Sequence, residues 1–240
     1  MRRVAAVAVV LVALAAAAAA FGATRITVFA AASLTNVFLE IDGHGRYGFA
    51  GSDLLAVQLR EGAPADVYAS AGPHYTQILY RDGVLLKPVV FATNKLIVLV
   101  PRANPAKIRS VYDLRREGVK VVIGDSTVPI GSYTRKLLDR LGITAAVAKN
   151  VVSQETDVKG IVSKVALGEA DAGFVYRTDA KPVAADTRTI ALPARAQPPI
   201  LYEIAVVKAS KHRAAARAFV AKVVSKRGRL LLARAGFGLP

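Results

Sequence analysis

Four short segments combine small or hydroxyl-bearing residues with the predicted start of a helix directly after a predicted strand. They are residues 32–34 (Ala-Ser-Leu), 51–53 (Gly-Ser-Asp), 129–132 (Pro-Ile-Gly-Ser) and 156–158 (Thr-Asp-Val). A helix start leaves backbone N–H groups without partners and carries a partial positive charge. Because ligands of open α/β sheets sit at the carboxyl ends of strands, several such starts can converge on one point. Together the segments predict an anion site built without lysine or arginine. Taken singly, Ser33 and Ser52 are expected to be ordinary helix caps.

A second chemical possibility is the block Gly-Asp-Ser at 124–126, which is similar to the nucleophile block of one class of secreted hydrolases. In that class the base histidine follows an aspartate by three residues, whereas His212 has Ala209 in that place. The nucleophile elbow, the phosphate loop and the zinc-binding His-Glu-x-x-His helix do not occur in the sequence. We therefore expect no enzymatic activity and keep an exported hydrolase that uses Ser126 as the alternative.

Hydrophobic patterning predicts strands that alternate with helices along most of the chain. The predicted strands are 26–30, 47–50, 66–69, 96–100, 119–123, 150–152, 172–176 and 200–207. Predicted helices start near Ser33, Leu54, Ser132 and Asp157, and the C-terminal residues predict one or two more. This alternation favours parallel sheets with helices on both faces. Segments 96–100 and 201–207 are expected to be two crossings between lobes, which together would form a hinge.

Length and composition indicate a folded chain that works outside the cytoplasm. The 240 residues are 53% apolar and 21% charged, far from the composition of disordered chains. The lack of cysteine excludes disulfides, thiolate metal sites, a cysteine nucleophile and a lipoprotein anchor. Two arginines precede an apolar run at 4–20 that ends in alanines, which predicts a cleaved signal peptide over residues 1–23. We expect a periplasmic or otherwise extracytoplasmic protein.

Positive charge is concentrated near the C-terminus. The formal net charge is +16, and residues 208–240 hold nine lysines and arginines and no acid. Such a stripe can bind nucleic acid, but an exported chain seldom meets nucleic acid and no groove-reading motif occurs in the sequence. We therefore expect no nucleic-acid partner. The basic residues of 208–240 instead indicate binding to an anionic envelope surface or to a docking partner.

Five blocks, in order along the chain, carry a resemblance to a known family. The blocks are ITVFAAASLTN at 26–36, FAGS at 49–52, QLREGAPADV at 58–67, FATNKL at 91–96 and ALGEADAGFVYRTDA at 166–180. They strongly resemble segments of the molybdate-binding proteins of bacterial molybdate ABC transporters, the ModA family. The resemblance extends over nearly all of the chain that follows the predicted signal peptide.

This resemblance implies the fold class of a type II periplasmic binding protein, with two α/β lobes joined by a two-crossing hinge. We expect the first lobe to comprise residues 24–95 and 205–240, and the second lobe residues 96–204. The family's function implies that the protein captures molybdate or tungstate without a cofactor and delivers it to the permease of an ABC transporter. A monomer is expected, with sulfate as the main rival ligand.

The resemblance also implies which residues bind the oxyanion. In the family the anion is held by neutral donors, which correspond here to the hydroxyl groups of Ser33, Ser52 and Tyr176 and the backbone N–H groups of Ile130 and Val158. No side chain is expected to coordinate a metal cation. Fixed neutral donors can replace the hydration shell of a dianion and select it by size.

The sequence departs from the family pattern in three ways. Asp53 stands where the family generally has a second small hydroxyl residue, and a carboxylate there would repel a dianion unless it turned outward. Ser33 and Ser52 are closer together than is usual, which predicts a shortened first helix or second strand. Ile130 is bulkier than the usual alanine, although a backbone donor tolerates the change.

Overall fold

A computed structural model describes residues 25–240. The predicted signal peptide, residues 1–23, lies outside the described residues. In chain order the strands are β1 (Thr27–Ala31), β2 (Arg46–Ala50), β3 (Val67–Ser70), β4 (Val89–Asn94), β5 (Leu96–Pro101), β6 (Val121–Gly124), β7 (Val151–Glu155), β8 (Ala172–Tyr176), β9 (Thr187–Ala191) and β10 (Ile200–Val206).

Helices connect most of these strands. They are α1 (Thr35–Ile41), α2 (Ser52–Arg60), α3 (Pro73–Arg81), α4 (Pro129–Leu141), α5 (Thr144–Ala148), α6 (Val158–Ala166), α7 (Arg177–Ala180), α8 (Arg213–Val224) and α9 (Lys226–Ala235). Short 3-10 turns lie at Ala32–Leu34, Val111–Arg115, Lys181–Val183 and Ala194–Ala196. Apolar runs form the central strands. The helix α4 begins with a proline and ends before Gly142, whose φ of 67° suits a glycine.

The described strands form two five-stranded sheets, with orders β2-β1-β3-β10-β4 and β7-β6-β8-β5-β9. In the first sheet β1 pairs in parallel with β2 and β3, and in the second β6 pairs in parallel with β7 and β8. The expectation of parallel sheets is wrong for β10 and β5, which pair antiparallel with both of their neighbours. Each is the first strand of its sheet after the chain changes sheets, and no crossover α-helix precedes it to restore the parallel direction.

The chain passes to the second sheet between Asn94 and Leu96 and returns between Ala191 and Ile200. Both segments predicted as crossings therefore lie largely inside sheets, and the predicted boundary between residues 204 and 205 falls within β10. Gln197 joins the two passages, because its amide accepts a hydrogen bond from the Leu96 N–H at 3.0 Å and donates one to the Leu96 carbonyl at 2.8 Å.

Between Ser33 and Ser52 the chain forms the short helix α1 and the strand β2. The helix has seven residues, while β1 and β2 pair along their whole lengths from Thr27↔Arg46 to Ala31↔Ala50. Phe38 of this helix is buried, and its ring packs against the rings of Phe91 and Phe219. The segment that follows β1 is thus anchored in the core despite its length.

Candidate functional site

A small cavity lies between the two sheets, where the carboxyl ends of several parallel strands meet the starts of the following helices. It is lined by Ala31, Ala32, Ser33, Ala50, Gly51, Ser52, Ala71, Val128, Pro129, Ile130, Asp157, Val158 and Tyr176. All five residues expected to bind the oxyanion are in this set. The structure therefore brings together residues separated by up to 143 positions in the sequence.

Tyr176 ends β8 and contributes a phenol group to the cavity wall. Its side chain is buried, and its hydroxyl has no hydrogen-bond partner among the described residues. Burial raises the pKa of Tyr176 well above its usual range, so the hydroxyl keeps its proton. A buried donor without an acceptor costs free energy, and a bound anion would supply the missing acceptor.

Ser52 is the first residue of α2, and its hydroxyl oxygen accepts a hydrogen bond from the Ala71 N–H at 3.1 Å. Because a backbone N–H can only donate, the Ser52 hydroxyl proton is left for another acceptor. The expectation that Ser52 is an ordinary cap is wrong, since Gly51 is the N-cap residue and makes no side-chain cap bond. Tyr68 fixes the same helix start by donating its hydroxyl to the Ser52 carbonyl at 2.7 Å.

Ser33 lies in the 3-10 turn that follows β1 and is also not a cap. Its hydroxyl oxygen lies 2.9 Å from the hydroxyl oxygen of Tyr202 on β10, and both side chains are buried. The capping expectation fails here because a partner 169 residues away takes the place of the local helix N–H groups.

The two predicted backbone donors lie at the starts of α4 and α6. Ile130 is the second residue of α4, behind Pro129, and Val128 makes no side-chain cap bond there. Val158 is the first residue of α6, where Asp157 accepts hydrogen bonds from the N–H groups of the next two residues instead. Neither position has an intrahelical partner for its N–H group, so both can donate into the cavity.

The cavity wall has no lysine or arginine among its described lining residues. Its one acid, Asp157, caps α6 through Oδ1. Asp53 does not line the cavity, and its Oδ2 atom lies 3.1 Å from the Thr127 hydroxyl on the opposite side. Lys159, on α6, pairs with the buried carboxylate of Asp179 at 3.5 Å.

Ser126, the nucleophile of the alternative hydrolase hypothesis, is exposed and does not line this cavity. Its hydroxyl donates to Oδ1 of the adjacent Asp125 at 3.4 Å. The histidine considered as a base, His212, instead has its Nδ1 atom 3.2 Å from Oδ1 of Asp66. Within residues 25–240 no histidine is hydrogen-bonded to Ser126, so the pairing that would activate the serine is not formed.

Between residues 25 and 240, no three or more histidine, aspartate or glutamate side chains gather closely enough to hold a metal ion. No helix within the same range combines the length and apolar character required to cross a membrane.

Sequence reasoning missed several residues around the cavity. Tyr202 contacts Ser33, and Asn94 contacts Tyr202, each across more than 100 residues, which no local pattern indicates. Gly51 belongs to one of the predicted helix starts, but no sequence pattern indicates that a β-carbon there would lie 2.5 Å from the Thr156 carbonyl oxygen on the other side of the cavity. Thr127 had no sequence signal beyond its place in a polar loop.

Comparisons with known proteins agree with the family resemblance seen in the sequence. Residues 13–238 match the family model described as bacterial extracellular solute-binding protein. A protein of Mycobacterium bovis named molybdate-binding protein ModA is 42% identical over 229 residues, covering 91% of this chain and 86% of that protein.

Solved structures share the fold. The periplasmic molybdate-binding protein of Azotobacter vinelandii matches with a TM-score of 0.78 at 22% identity, covering 90% of this chain and all of that one. The sulfate-binding protein SubI of Mycobacterium tuberculosis matches with a TM-score of 0.79 at 18% identity, covering 89% and 86% of the two chains. The fold is thus that of periplasmic binding proteins, with two α/β lobes, and it is shared by proteins with different ligands. By its family model, its relatives and its fold, the chain belongs to the bacterial extracellular solute-binding proteins, in the branch that contains the ModA proteins.

Proposed function

We propose that this protein captures molybdate, a tetrahedral dianion, in the cavity between its two sheets and delivers it to the permease of an ABC transporter. The observation that carries the proposal is the Tyr176 hydroxyl, a buried donor in the cavity wall without a partner among the described residues. The name of the mycobacterial relative supports molybdate as the ligand.

The proposed donors are the hydroxyl groups of Ser33, Ser52 and Tyr176 and the N–H groups of Ile130 and Val158. All are neutral, and they lie on helix starts or strand ends that the two sheets hold in place. Donors of this kind can solvate a dianion in place of water, and the partial positive charge of the helix starts adds to the attraction. A fully ionised tetrahedral oxyanion offers only hydrogen-bond acceptors, which suits a set made entirely of donors.

Size selects among such anions when the donors cannot move freely. Tungstate has nearly the same radius as molybdate, so we expect the two to bind alike. Sulfate is smaller and would leave some donors too far for good hydrogen bonds, which lowers its affinity.

The protein is proposed to work outside the cytoplasm as a monomer, after cleavage of the signal peptide, and without a nucleic-acid partner or a cofactor. Its two sheets with their helices would form lobes that close on the ligand about the passages at residues 94–96 and 191–200. No catalytic role is proposed, because the Ser126 hydroxyl contacts Asp125 and no histidine among the described residues.

Calorimetric titration of the mature protein with molybdate, tungstate, sulfate and phosphate tests the proposal. Molybdate and tungstate should bind with similar affinity, and sulfate at least ~100-fold more weakly, a difference of about 2.7 kcal/mol. Equal binding of sulfate, or no binding of molybdate, would overturn the assignment. An ester-hydrolysis assay of the protein and its Ser126→Ala variant tests the alternative, which requires an activity that the substitution abolishes.

A further inference from the structure

Ser33 is held by a chain of buried polar groups that runs along the passage between the sheets. Its hydroxyl oxygen lies 2.9 Å from the Tyr202 hydroxyl oxygen, and the Tyr202 oxygen in turn lies 3.4 Å from Nδ2 of Asn94. Nδ2 of Asn94 also donates to the Thr178 hydroxyl oxygen at 3.0 Å. All four side chains are buried, so solvent cannot reorient the hydrogen bonds at low cost.

The direction of this chain follows from one backbone group. The Lys95 N–H donates to the side-chain oxygen of Asn94 at 2.9 Å, and a backbone N–H cannot accept. The amide orientation of Asn94 is thereby fixed, and its Nδ2 group must act as the donor to Tyr202. The Tyr202 oxygen accepts from Asn94, and among the described residues the Ser33 oxygen is the acceptor that remains for the Tyr202 proton. A buried hydroxyl proton without an acceptor costs free energy, so this bond is assigned with Tyr202 as the donor.

The consequence for Ser33 is that its hydroxyl oxygen is already occupied as an acceptor. Its proton remains for a group in the cavity, as the proton of Ser52 does because the Ala71 N–H occupies the Ser52 oxygen. Different neighbours, Tyr202 for Ser33 and the Ala71 N–H for Ser52, therefore fix both serines as donors before a ligand binds.

The Tyr202 ring is positioned independently of its hydroxyl. It packs edge-on against the rings of Tyr176, Phe91 and Phe237, with centroids 5.3 to 6.1 Å away. A phenylalanine can keep these contacts, so the effect of the hydroxyl can be measured apart from the effect of the ring.

We propose that Tyr202 and Asn94 are positioning residues that lock the Ser33 hydroxyl as a donor, so that the Ser33 side of the cavity favours fully deprotonated oxyanions over protonated ones. This proposal rests on the proposed function of the cavity. A protonated anion such as hydrogen phosphate carries an O–H group that needs an acceptor, and a locked Ser33 cannot provide one. Without Tyr202 the Ser33 hydroxyl can rotate and accept.

A double-mutant cycle with calorimetry tests the proposal, using Tyr202→Phe, Ser33→Ala and the double variant with molybdate and with inorganic phosphate at neutral pH. Tyr202→Phe should weaken molybdate binding about tenfold and lower the ratio of molybdate to phosphate affinity by a similar factor. In the Ser33→Ala background the same change should have an effect below about twofold, because its target is gone. Tyr47→Phe, which removes a half-buried hydroxyl from a residue outside the cavity, is the matched control and should bind like the parent protein.

A second variant keeps the test valid if Tyr202→Phe folds poorly. Asn94→Asp replaces the Nδ2 donor by an acceptor of the same shape, so Tyr202 should donate to it and no longer to Ser33. Molybdate affinity should fall further in the parent background than in the Ser33→Ala background, where only the added charge acts.

The outcomes separate the two proposals. If the parent protein does not bind molybdate, both are overturned. If it binds and Tyr202→Phe binds equally well, or loses the same factor with and without Ser33, the donor-locking role is wrong while the proposed function stands.

Discussion

The Thr127 hydroxyl oxygen lies 3.1 Å from Oδ2 of Asp53, and this contact joins the two sides of the cavity. The same hydroxyl lies 3.0 Å from Oδ1 of Asp125, so a single proton serves two carboxylates. Oδ1 of Asp53 is buried without a hydrogen-bond partner among the described residues. The closed arrangement thus keeps an incompletely compensated negative charge beside a site proposed for a dianion.

Replacing Asp53 by asparagine should strengthen molybdate binding. The Asp53→Asn variant keeps the oxygen that faces Thr127 and removes the charge, so we expect affinity to rise about threefold at low ionic strength. The gain should shrink as salt is added, because screening already weakens the repulsion in the parent protein. The free energy of unfolding should fall by about 0.5 kcal/mol, since an acid in the first turn of α2 favours the helix.

Asp82→Asn is the control for the loss of one negative charge away from the cavity. Asp82 does not line the cavity and pairs with the exposed Arg60, the last residue of α2. It should leave the affinity unchanged at every salt concentration. An Asp53→Asn variant with parental affinity at low salt would show that the carboxylate does not act on the ligand.

Gly51→Ala should prevent closure without harming the fold. The backbone of Gly51 has a φ of −57°, which alanine adopts freely, but its β-carbon would lie 2.5 Å from the Thr156 carbonyl and 3.1 Å from a Val128 methyl carbon. Both of these neighbours belong to the opposite side, so they clash with the β-carbon only when the two sides meet. Oδ1 of Asp53, on the same side as Gly51, would also lie 2.5 Å from the β-carbon, but this is the end of a side chain that can rotate away. We expect molybdate affinity to fall at least about tenfold, with little change in the stability of the ligand-free protein.

Small-angle scattering can follow the same variant. Ligand should reduce the radius of gyration of the parent protein and leave that of Gly51→Ala nearly unchanged. Gly43→Ala is the control, because a β-carbon at Gly43 meets only the Leu39 carbonyl oxygen, at an ordinary 3.5 Å. A Gly51→Ala protein that compacts and binds like the parent would contradict closure at this contact.

Tyr176→Phe and Ser52→Ala should separate binding from stability. Each removes one donor to the anion, so each should weaken molybdate binding by about 1.5–3 kcal/mol. Ligand-free stability should differ, because the Tyr176 hydroxyl has no partner to lose whereas Ser52→Ala leaves the buried Ala71 N–H without an acceptor. Calorimetry and denaturant unfolding of both variants check this, and a destabilised Tyr176→Phe protein would mean that its hydroxyl has an internal partner.

Much of the fold could be predicted where local patterning and burial agree. The apolar run of β8 was predicted with its observed bounds, Ala172–Tyr176, because every residue of that strand is buried. β9 was missed since it is a largely exposed and polar edge strand, Thr187–Ala191. β4 was missed because only Lys95 separates it from β5, so two strands in different sheets follow each other without a turn signal.

The site was accessible to sequence reasoning only in part. The five proposed donors could be named from motif resemblance, and the helix starts that carry most of them follow from local patterns. The hydrogen-bond partners of Ser33 and Ser52 could not be predicted, because Tyr202 and Ala71 reach them through sheet pairing rather than through neighbouring sequence. For the same reason the capping role expected for both serines was wrong.

Molybdate affinity should be nearly independent of pH between about pH 7 and 9. All five proposed donors are neutral in that range by their ordinary values, and burial raises the pKa of Tyr176 further. Calorimetric titrations across the range check this. A steep loss of affinity with rising pH would indicate a cationic partner such as histidine and would rule out the neutral-donor mechanism.

Stability, unlike affinity, should depend on pH through Asp179. Burial raises the pKa of this carboxyl to about 6, although the Lys159 ammonium at 3.5 Å opposes the shift. The pKa of Asp179 in the folded state lies above its ordinary value of 3.8. The carboxyl therefore contributes most to the free energy of unfolding below about pH 4, and this contribution is lost as the pH rises through 6. Asp179→Asn should therefore be more stable than the parent protein above pH 7, by at most about 3 kcal/mol, with the difference shrinking as the pH falls below 6. Denaturant unfolding of both proteins across this range measures the difference. A variant that is less stable than the parent at neutral pH would mean that the ion pair with Lys159 outweighs the cost of burying the charge.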